Sequence, residues 1–139
     1  MADLMSKTAL VTGGGTGIGF GIAAKLMEAN AQVTIAGRRE DVLNEAAERL
    51  DASVSSSGNI KVVCCDVTDA LAVRNAVEVA ANDEGVLDRA VANAGIGAGG
   101  PFLTMTDETL RSVLEVNVVG AFNTIQAAAE TMRLSGGSI

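Results

Sequence analysis

The residues best suited to chemistry form a run of glycines and threonines, Thr12-Gly-Gly-Gly-Thr-Gly-Ile-Gly19. Glycine leaves backbone amides uncovered, and a helix that starts at such a run adds the positive end of its dipole, so together they bind an anion such as a phosphate. The run lacks G-x-G-x-x-G, and no Gly-Lys-Ser/Thr follows it, which excludes a P-loop. It does contain T-G-x-x-x-G-I-G. This pattern predicts a dinucleotide site, and the alternative is a glycine turn that binds nothing.

A strand and a helix must position this run. Residues 8–11 are an apolar stretch that predicts a short buried strand. After the run, Ile18, Ile22, Leu26 and Ala29 recur three to four residues apart, which predicts one face of an amphipathic helix. A strand, a glycine turn and a helix in this order bring backbone amides and a helix N-terminus to one point.

The rest of the chain alternates strand and helix patterns. Further strands are predicted at residues 32–36, 60–65 and 87–92, and the polar stretch at 53–59 predicts a loop. The helical faces between them are Val42, Leu43, Ala46, Ala47 and Leu50, then Val73, Val77 and Ala80 after a cap at Thr68 or Asp69. This alternation indicates a doubly wound α/β fold, a parallel sheet with helices on both faces and the strand order 3-2-1-4. A ligand crevice is then expected at the carboxyl ends, between strands one and four.

A long helix is predicted from about Thr106 to Arg133. One stripe is expected to cover the sheet: Leu110, Val113, Leu114, Asn117, Ala121, Thr124 and Ala128. A second stripe is expected to face another helix or another subunit: Val118, Phe122, Ile125, Ala129 and Met132. Because Asn117 lies on the first stripe, its amide should be buried and hydrogen-bonded, since an unpaired one costs about 1–3 kcal/mol.

Composition narrows the function. The 139 residues predict one domain, and they include no Tyr and no His, which removes most of the usual general acids and bases. The net charge of −7 with no basic run argues against nucleic acid or an anionic membrane surface as a partner. No apolar stretch approaches the length of a membrane span, and the first residues lack a signal-peptide core, so a cytoplasmic location is expected.

Cys64 and Cys65 are the two cysteines of the chain. Neighbours on a strand point to opposite faces, so these two do not easily form a disulfide with each other. Two thiols without a His also make a poor metal site. Both are therefore predicted to be buried, reduced, structural thiols, and no metal is expected.

Four motifs in order resemble the first half of the short-chain dehydrogenase/reductase family. Besides residues 12–19, they are Asp66-Val67 after the third strand, Asn93-Ala94-Gly95 after the fourth, and Asn117-Val-Val-Gly120 in the long helix. The resemblance covers residues 1–139 and implies an incomplete Rossmann-like fold. Residues 136–139 look like a polar turn and the first residues of a further strand, so we expect this chain to be the amino-terminal part of a longer protein.

The resemblance implies roles for the cofactor-binding residues. Asp66 would accept a hydrogen bond from an adenine amino group and Val67 would offer its backbone, although Asp66 alone is also compatible with a turn residue. The family's usual Asn-Asn-Ala-Gly has Ala92 in place of its first Asn here. The resemblance also implies that one group of residues lies around the adenosine and pyrophosphate: Gly13, Gly15, Thr16, Gly17, Ile18 and Gly19. A second group is implied to lie around the ribose and pyrophosphate: Asn93, Ala94 and Gly95.

The end of the second strand predicts the choice of cofactor. An NAD enzyme needs a carboxylate there to bind the ribose hydroxyls, and this chain has Gly37 followed by Arg38 and Arg39. A missing acid removes repulsion against a 2′-phosphate, and guanidinium binds phosphate in a bidentate manner. NADP(H) is therefore favoured over NAD(H). The alternative is a pair of arginines that are simply solvated.

The resemblance also implies the chemistry of the whole protein. In the family, the Asn at position 117 holds a water in a proton relay through a local opening of the helix, while an amide satisfied by nearby backbone is an equally compatible role. The family's catalytic Ser and Tyr-x-x-x-Lys lie downstream, and this chain has no Tyr. We expect an oxidoreductase that interconverts a carbonyl and an alcohol, a homo-oligomer through the helix at 106–133, and no activity from this chain alone. The rival functions are a non-catalytic NADP-binding module or sensor and a purely structural protein.

Overall fold

The computed structural model describes residues 4–53 and 60–139. In these ranges, strands alternate with helices as the sequence predicts. The strands are β1 (Thr8–Thr12), β2 (Gln32–Gly37), β3 (Ile60–Cys64) and β4 (Arg89–Val91). The helices are α1 (Gly17–Glu28), α2 (Glu40–Ser53), α3 (Ala70–Ala80), α4 (Asp107–Leu114) and α5 (Gly120–Met132), with a short 3₁₀ turn at Phe102–Thr104 and a π-helical turn at Glu115–Val119.

The four strands form one parallel sheet in the order β3-β2-β1-β4, which confirms the predicted order. β4 is shorter than the predicted strand at 87–92, because side chains take over the pairing at its start. Thr8 N donates to Asp88 Oδ2 at 2.9 Å, and Asp88 N donates to Thr8 Oγ1 at 3.1 Å. Beyond β4, Ser138 pairs with Arg89 in a parallel bridge, so the end of the chain starts to extend the sheet on that side.

Each face of the sheet carries its own apolar core. On one face, α1 and α2 bury Met27, Leu43 and Leu50 against β1 and β2. On the other, α3 and α5 bury residues such as Val73 and Ala128. The predicted faces of α2 and α3 are confirmed, and Asp69 is the cap of α3, since its carboxylate accepts from the amides of Leu71 and Ala72.

The predicted face of α1 is right except at its first residue, because Ile22 and Leu26 pack against the core and Ala29 is buried, whereas Ile18 is not. Ile18 is 77% exposed, and the buried residues are Gly19, Ala23 and Met27. Gly19 packs directly on the carbonyl of Gly13, where a Cβ would overlap the carbonyl oxygen. This contact requires the smallest residues to face the turn and the sheet, so the apolar side chain of Ile18 is turned outward.

The long helix is continuous, but its predicted stripes are only partly right. Thr124 and Ala128 are buried, whereas Leu110, Leu114 and Asn117 are exposed. The π-helical turn inserts one residue, which rotates the part before it relative to the part after it, so one stripe does not stay on one face. On the second stripe, Val118, Phe122, Ile125 and Ala129 are exposed as an unpartnered face would be, but Met132 is buried in the core of this chain.

Two smaller predictions need correction. Cys65 is buried and Cys64 is exposed, so the prediction of two buried thiols is wrong for Cys64, which is the last residue of the edge strand β3. Neither thiol forms a disulfide. Ser53 belongs to α2 rather than to a loop, and its hydroxyl donates to the carbonyl of Leu50 at 2.8 Å. The rest of that predicted loop, 54–59, lies outside the described residues. Within the described ranges, no helix is long and apolar enough to cross a membrane.

Candidate functional site

A cavity opens at the carboxyl ends of the strands and is lined by residues that follow all four of them, so it includes the predicted crevice between β1 and β4 and extends past β2 to β3. Nine of the predicted cofactor-binding residues line it: Gly13, Gly15, Thr16, Arg38, Arg39, Asp66, Val67, Ala94 and Gly95. The other four, Gly17, Ile18, Gly19 and Asn93, do not line it, and neither does Asn117, the residue predicted to take part in catalysis. The remaining wall is mostly apolar: Gly37, Val42, Leu43, Cys65, Ile96 and Val116.

The glycine turn joins β1 to α1 at this cavity. Gly13 has a φ of +67°, in the left-handed region that favours glycine, and its amide donates to the carbonyl of Ala36 at 2.8 Å. α1 then begins at Gly17, and its N-cap Thr16 makes no side-chain cap hydrogen bond. First-turn amides lack an intrahelical acceptor, so those of Gly17 and Ile18 remain available to an anion although their side chains do not line the cavity.

Thr12 and Asn93 fasten the glycine turn to the loop after β4. Thr12 Oγ1 donates to the carbonyl of Val91 at 3.2 Å and accepts from the amides of Asn93 at 3.0 Å and Ala94 at 3.1 Å. Asn93 Nδ2 donates in return to the carbonyls of Thr12 at 3.0 Å and Gly13 at 3.4 Å. The side chain of Asn93 therefore braces the site rather than lining it. Thr12 begins the predicted T-G-x-x-x-G-I-G pattern, but its bracing role was not predicted.

The mouth of the cavity carries the two arginines. Arg38 and Arg39 are exposed and follow Gly37, which lies beside Cys64 of β3. The acids Glu40 and Asp41 occupy the first turn of α2 and do not line the cavity. The charge offered to a ligand at the end of β2 is therefore positive.

Asp66 is the acid of the cavity. Its Oδ1 accepts from Thr68 N at 3.0 Å and from Thr68 Oγ1 at 2.8 Å. These backbone and side-chain hydrogen bonds hold the pKa of Asp66 below its ordinary value against the opposing effect of burial, and the charge of Arg38 lowers it further. Asp66 is thus a carboxylate at neutral pH, able to accept hydrogen bonds and not to donate them.

Val67 and Cys65 flank Asp66 and are buried. The carbonyl of Val67 accepts from Asn123 Nδ2 at 2.9 Å, and its side chain fills the space that a Cβ at Gly120 would need. Burial, followed by the charges of Asp66, Cys64 and Asp69, raises the pKa of Cys65 to about 11. Cys65 is therefore a neutral, apolar part of the cavity wall, and its place there was not predicted from the sequence.

Asn117 lies in the π-helical turn and forms hydrogen bonds with the loop after β4. Its Oδ1 accepts from Ile96 N at 2.8 Å, and its Nδ2 donates to the carbonyl of Ile96 at 2.9 Å. The prediction of a buried Asn117 is wrong, because the added residue of the turn places it on an exposed edge. Both side-chain polar atoms are nevertheless satisfied by backbone, and Gly95 leaves room for the side chain, since a Cβ there would stand 3.2 Å from Oδ1.

Residues 4–53 and 60–139 contain no group of three or more His, Cys, Asp and Glu side chains placed to hold a metal ion. The site combines a helix N-terminus without a side-chain cap, a carboxylate and two guanidinium groups. A family model described as short chain dehydrogenase matches residues 7–139. The chain belongs to this family.

Similar proteins agree with the short-chain dehydrogenase assignment. The chain is 38% identical over 135 residues to the oxidoreductase asL5 of Sarocladium schorii, covering 96% of this chain and 51% of that one. It is 34% identical over 142 residues to a 3alpha-hydroxysteroid dehydrogenase of Mediterraneibacter gnavus, covering 98% and 54%. A crystal structure of a short-chain type dehydrogenase/reductase from Mycobacterium marinum superposes with a TM-score of 0.85 at 39% identity, covering 94% of this chain and 51% of that one. The chain thus spans about half the length of these relatives.

Proposed function

We propose that this chain is the NADP(H)-binding part of a short-chain dehydrogenase whose complete protein interconverts a carbonyl and an alcohol by hydride transfer. The observation that supports the proposal is that three sequence features line one and the same cavity. The glycine turn, Asp66, and the sequence Gly37-Arg38-Arg39 all contribute to its lining. Each supplies the group that one part of a phosphorylated dinucleotide needs.

The fit to a dinucleotide depends on the close packing of the glycine turn against the first turn of α1. Gly13 and Gly19 lie so close together that a Cβ at Gly19 would overlap the Gly13 carbonyl, and the helix end has no side-chain cap. In the proposal, the amides at this end hold the pyrophosphate. Asp66 and Val67 hold the adenine, and the backbone of residues 93–95 lies along the ribose and pyrophosphate. When bound, the cofactor supplies the hydride.

The preference for NADP(H) over NAD(H) is supported by charge at the end of β2. With Gly37 there, no carboxylate repels a 2′-phosphate or accepts from a ribose 2′-hydroxyl. Arg38 and Arg39 line the cavity and are exposed, so they can reach a phosphate without first losing a buried partner. Charge-assisted hydrogen bonds from guanidinium to phosphate are among the stronger ones in proteins.

The chemical step belongs to the complete protein in this proposal. The chain has no Tyr, and its three Lys residues, Lys7, Lys25 and Lys61, belong to no Tyr-x-x-x-Lys sequence. We therefore expect this chain alone to bind the cofactor without turning it over. The name of the hydroxysteroid dehydrogenase relative supports a carbonyl or alcohol substrate. The absence of Tyr also keeps a second candidate function open, a non-catalytic NADP-binding module or sensor.

The proposal includes a homo-oligomer and a cytoplasmic location. The exposed apolar side chains of Val118, Phe122 and Ile125 lie along one side of the long helix and offer a surface for a second copy. The two free thiols are typical of a reducing compartment.

Calorimetric titration of the chain with NADPH and, separately, NADH tests the proposal. We expect tighter binding of NADPH, and a loss of about tenfold or more in that preference when Arg38 and Arg39 become Ala, the size expected for lost charge-assisted hydrogen bonds. Arg74→Ala is the matched control, because Arg74 is exposed on α3 outside this cavity. A chain that unfolds cooperatively on heating but binds neither nucleotide would overturn the proposal.

A further inference from the structure

The carboxylate of Asp66 is held through one of its two oxygens. Thr68 N and Thr68 Oγ1 both donate to Oδ1, at 3.0 and 2.8 Å. Within the described part of the chain, no other hydrogen bond to this carboxylate is found. Two donors on one oxygen fix the rotation of the carboxylate and leave Oδ2 to accept from a ligand in the cavity that Asp66 lines.

Thr68 is itself held by the start of α3. The amide of Asp69 donates to the carbonyl of Asp66 at 3.0 Å, which closes a tight turn around Thr68. Asp69 then caps α3 through the amides of Leu71 and Ala72 at 2.9 and 3.2 Å. The hydroxyl of Thr68 therefore acts on Asp66 from a fixed position and is half-buried rather than free in solvent.

We propose that Thr68 is a positioning residue that sets which purine the cavity accepts. By holding Oδ1, it presents Oδ2 to an exocyclic amino group, which donates hydrogen bonds. A purine with a 6-oxo group offers an acceptor at the same place and is repelled by the carboxylate. The inference rests on the proposed function, since it assumes that the purine of a dinucleotide occupies this cavity.

The test compares NADPH with reduced nicotinamide hypoxanthine dinucleotide phosphate, which differs from it at the 6-position of the purine. Binding of each is measured by calorimetry for the wild-type chain, Thr68→Val and Thr68→Ser. Thr68→Val keeps the shape and the backbone donor but removes the hydroxyl, so the preference for NADPH should fall about three- to tenfold. Thr68→Ser keeps the hydroxyl and should keep the preference.

A purely structural role for Thr68 gives a different result. In that case Thr68→Val weakens both nucleotides by the same factor and leaves their ratio unchanged, which overturns the inference. If Thr68→Val does not fold, Thr68→Ala takes its place, because it also lacks the hydroxyl and keeps the backbone donor. Thr68→Ala must then lower the preference for NADPH relative to Thr68→Ser, and an unchanged preference overturns the inference. A wild-type chain that binds both nucleotides equally refutes this inference alone. A folded wild-type chain that binds neither refutes the proposed function.

Discussion

Two glycines on the same helix, Gly19 and Gly21, should respond in opposite ways to replacement by Ala. At Gly19 a Cβ would overlap the carbonyl oxygen of Gly13 and stand 2.6 Å from Asn93 Nδ2. At Gly21 no atom lies within 4 Å of the added Cβ. Because both sites are in α1, each substitution makes a similar gain in helix propensity, about 1 kcal/mol, and the difference between them isolates the contact at the turn.

The expected loss of folding stability in Gly19→Ala can be worked out from the neighbouring groups that the added Cβ would displace. Overpacking costs about 1–3 kcal/mol, and displacing Asn93 weakens two hydrogen bonds worth about 1 kcal/mol each. After the gain in propensity, Gly19→Ala should lower the free energy of unfolding by about 2–4 kcal/mol, or the melting temperature by about 8–16 °C at roughly 4 °C per kcal/mol. Gly21→Ala should raise the melting temperature by about 2–4 °C.

Thermal unfolding followed by circular dichroism measures both changes, and calorimetric titration with NADPH measures the site. In Gly19→Ala, NADPH binding should also weaken at a temperature where the chain is folded, because the turn whose amides we propose to bind the pyrophosphate has moved. A melting temperature for Gly19→Ala at or above that of the wild type would refute the packing argument. Unchanged NADPH binding would refute the link between this contact and the site.

Three further predictions concern other parts of the chain. Burial alone would raise the pKa of Asp88, but hydrogen bonds from Lys7 and Thr8, together with the Lys7 charge, hold that pKa below its ordinary value. The stability that Asp88 contributes is therefore present above the unfolded pKa of about 3.9 and is lost as the pH falls through the folded pKa. In an acid titration, Asp88→Asn should therefore lose less folding stability than the wild type as the pH falls. Iodoacetamide at about pH 8 should label Cys64 and spare Cys65, whose pKa is raised to about 11; mass spectrometry that finds Cys65 labelled in the folded chain would contradict this. Phe122→Glu should dissociate a homo-oligomer in sedimentation experiments, while Leu71→Glu, at an exposed apolar side chain on α3, should leave it intact. A wild-type monomer would remove the basis for the interface.

The sheet could be predicted from the sequence, because its information is local. Apolar runs alternate with helical patterns, and the handedness of crossovers then leaves one strand order, which the structure has. The outward rotation of Ile18 could not be predicted in this way. It depends on Gly19 meeting the carbonyl of Gly13, a contact between two elements that helical periodicity does not encode.

The site was predictable to a similar degree. The glycines of the turn, Asp66 and the two arginines could be predicted as site residues, because glycine exposes backbone amides and the others carry a charge. The exposure of Asn117 could not be predicted, since one inserted residue at the π-helical turn changes the side of the helix on which it lies. The apolar wall of Cys65 and Ile96 was missed because apolar side chains there resemble ordinary core residues. The bracing role of Thr12 was missed because its partners lie on the loop after β4, about 80 residues away in the sequence.

The loop after β4 is held at both of its ends by polar side chains from other elements. Thr12, at the end of β1, binds the amides of Asn93 and Ala94, and Asn117, in the π-helical turn, binds both backbone polar groups of Ile96. Gly95, between these two anchors, lines the cavity. A change at Asn117 would therefore move the cavity wall through Ile96, even though the side chain of Asn117 does not line the cavity. Asn117 thus fixes the shape of the cavity from outside it.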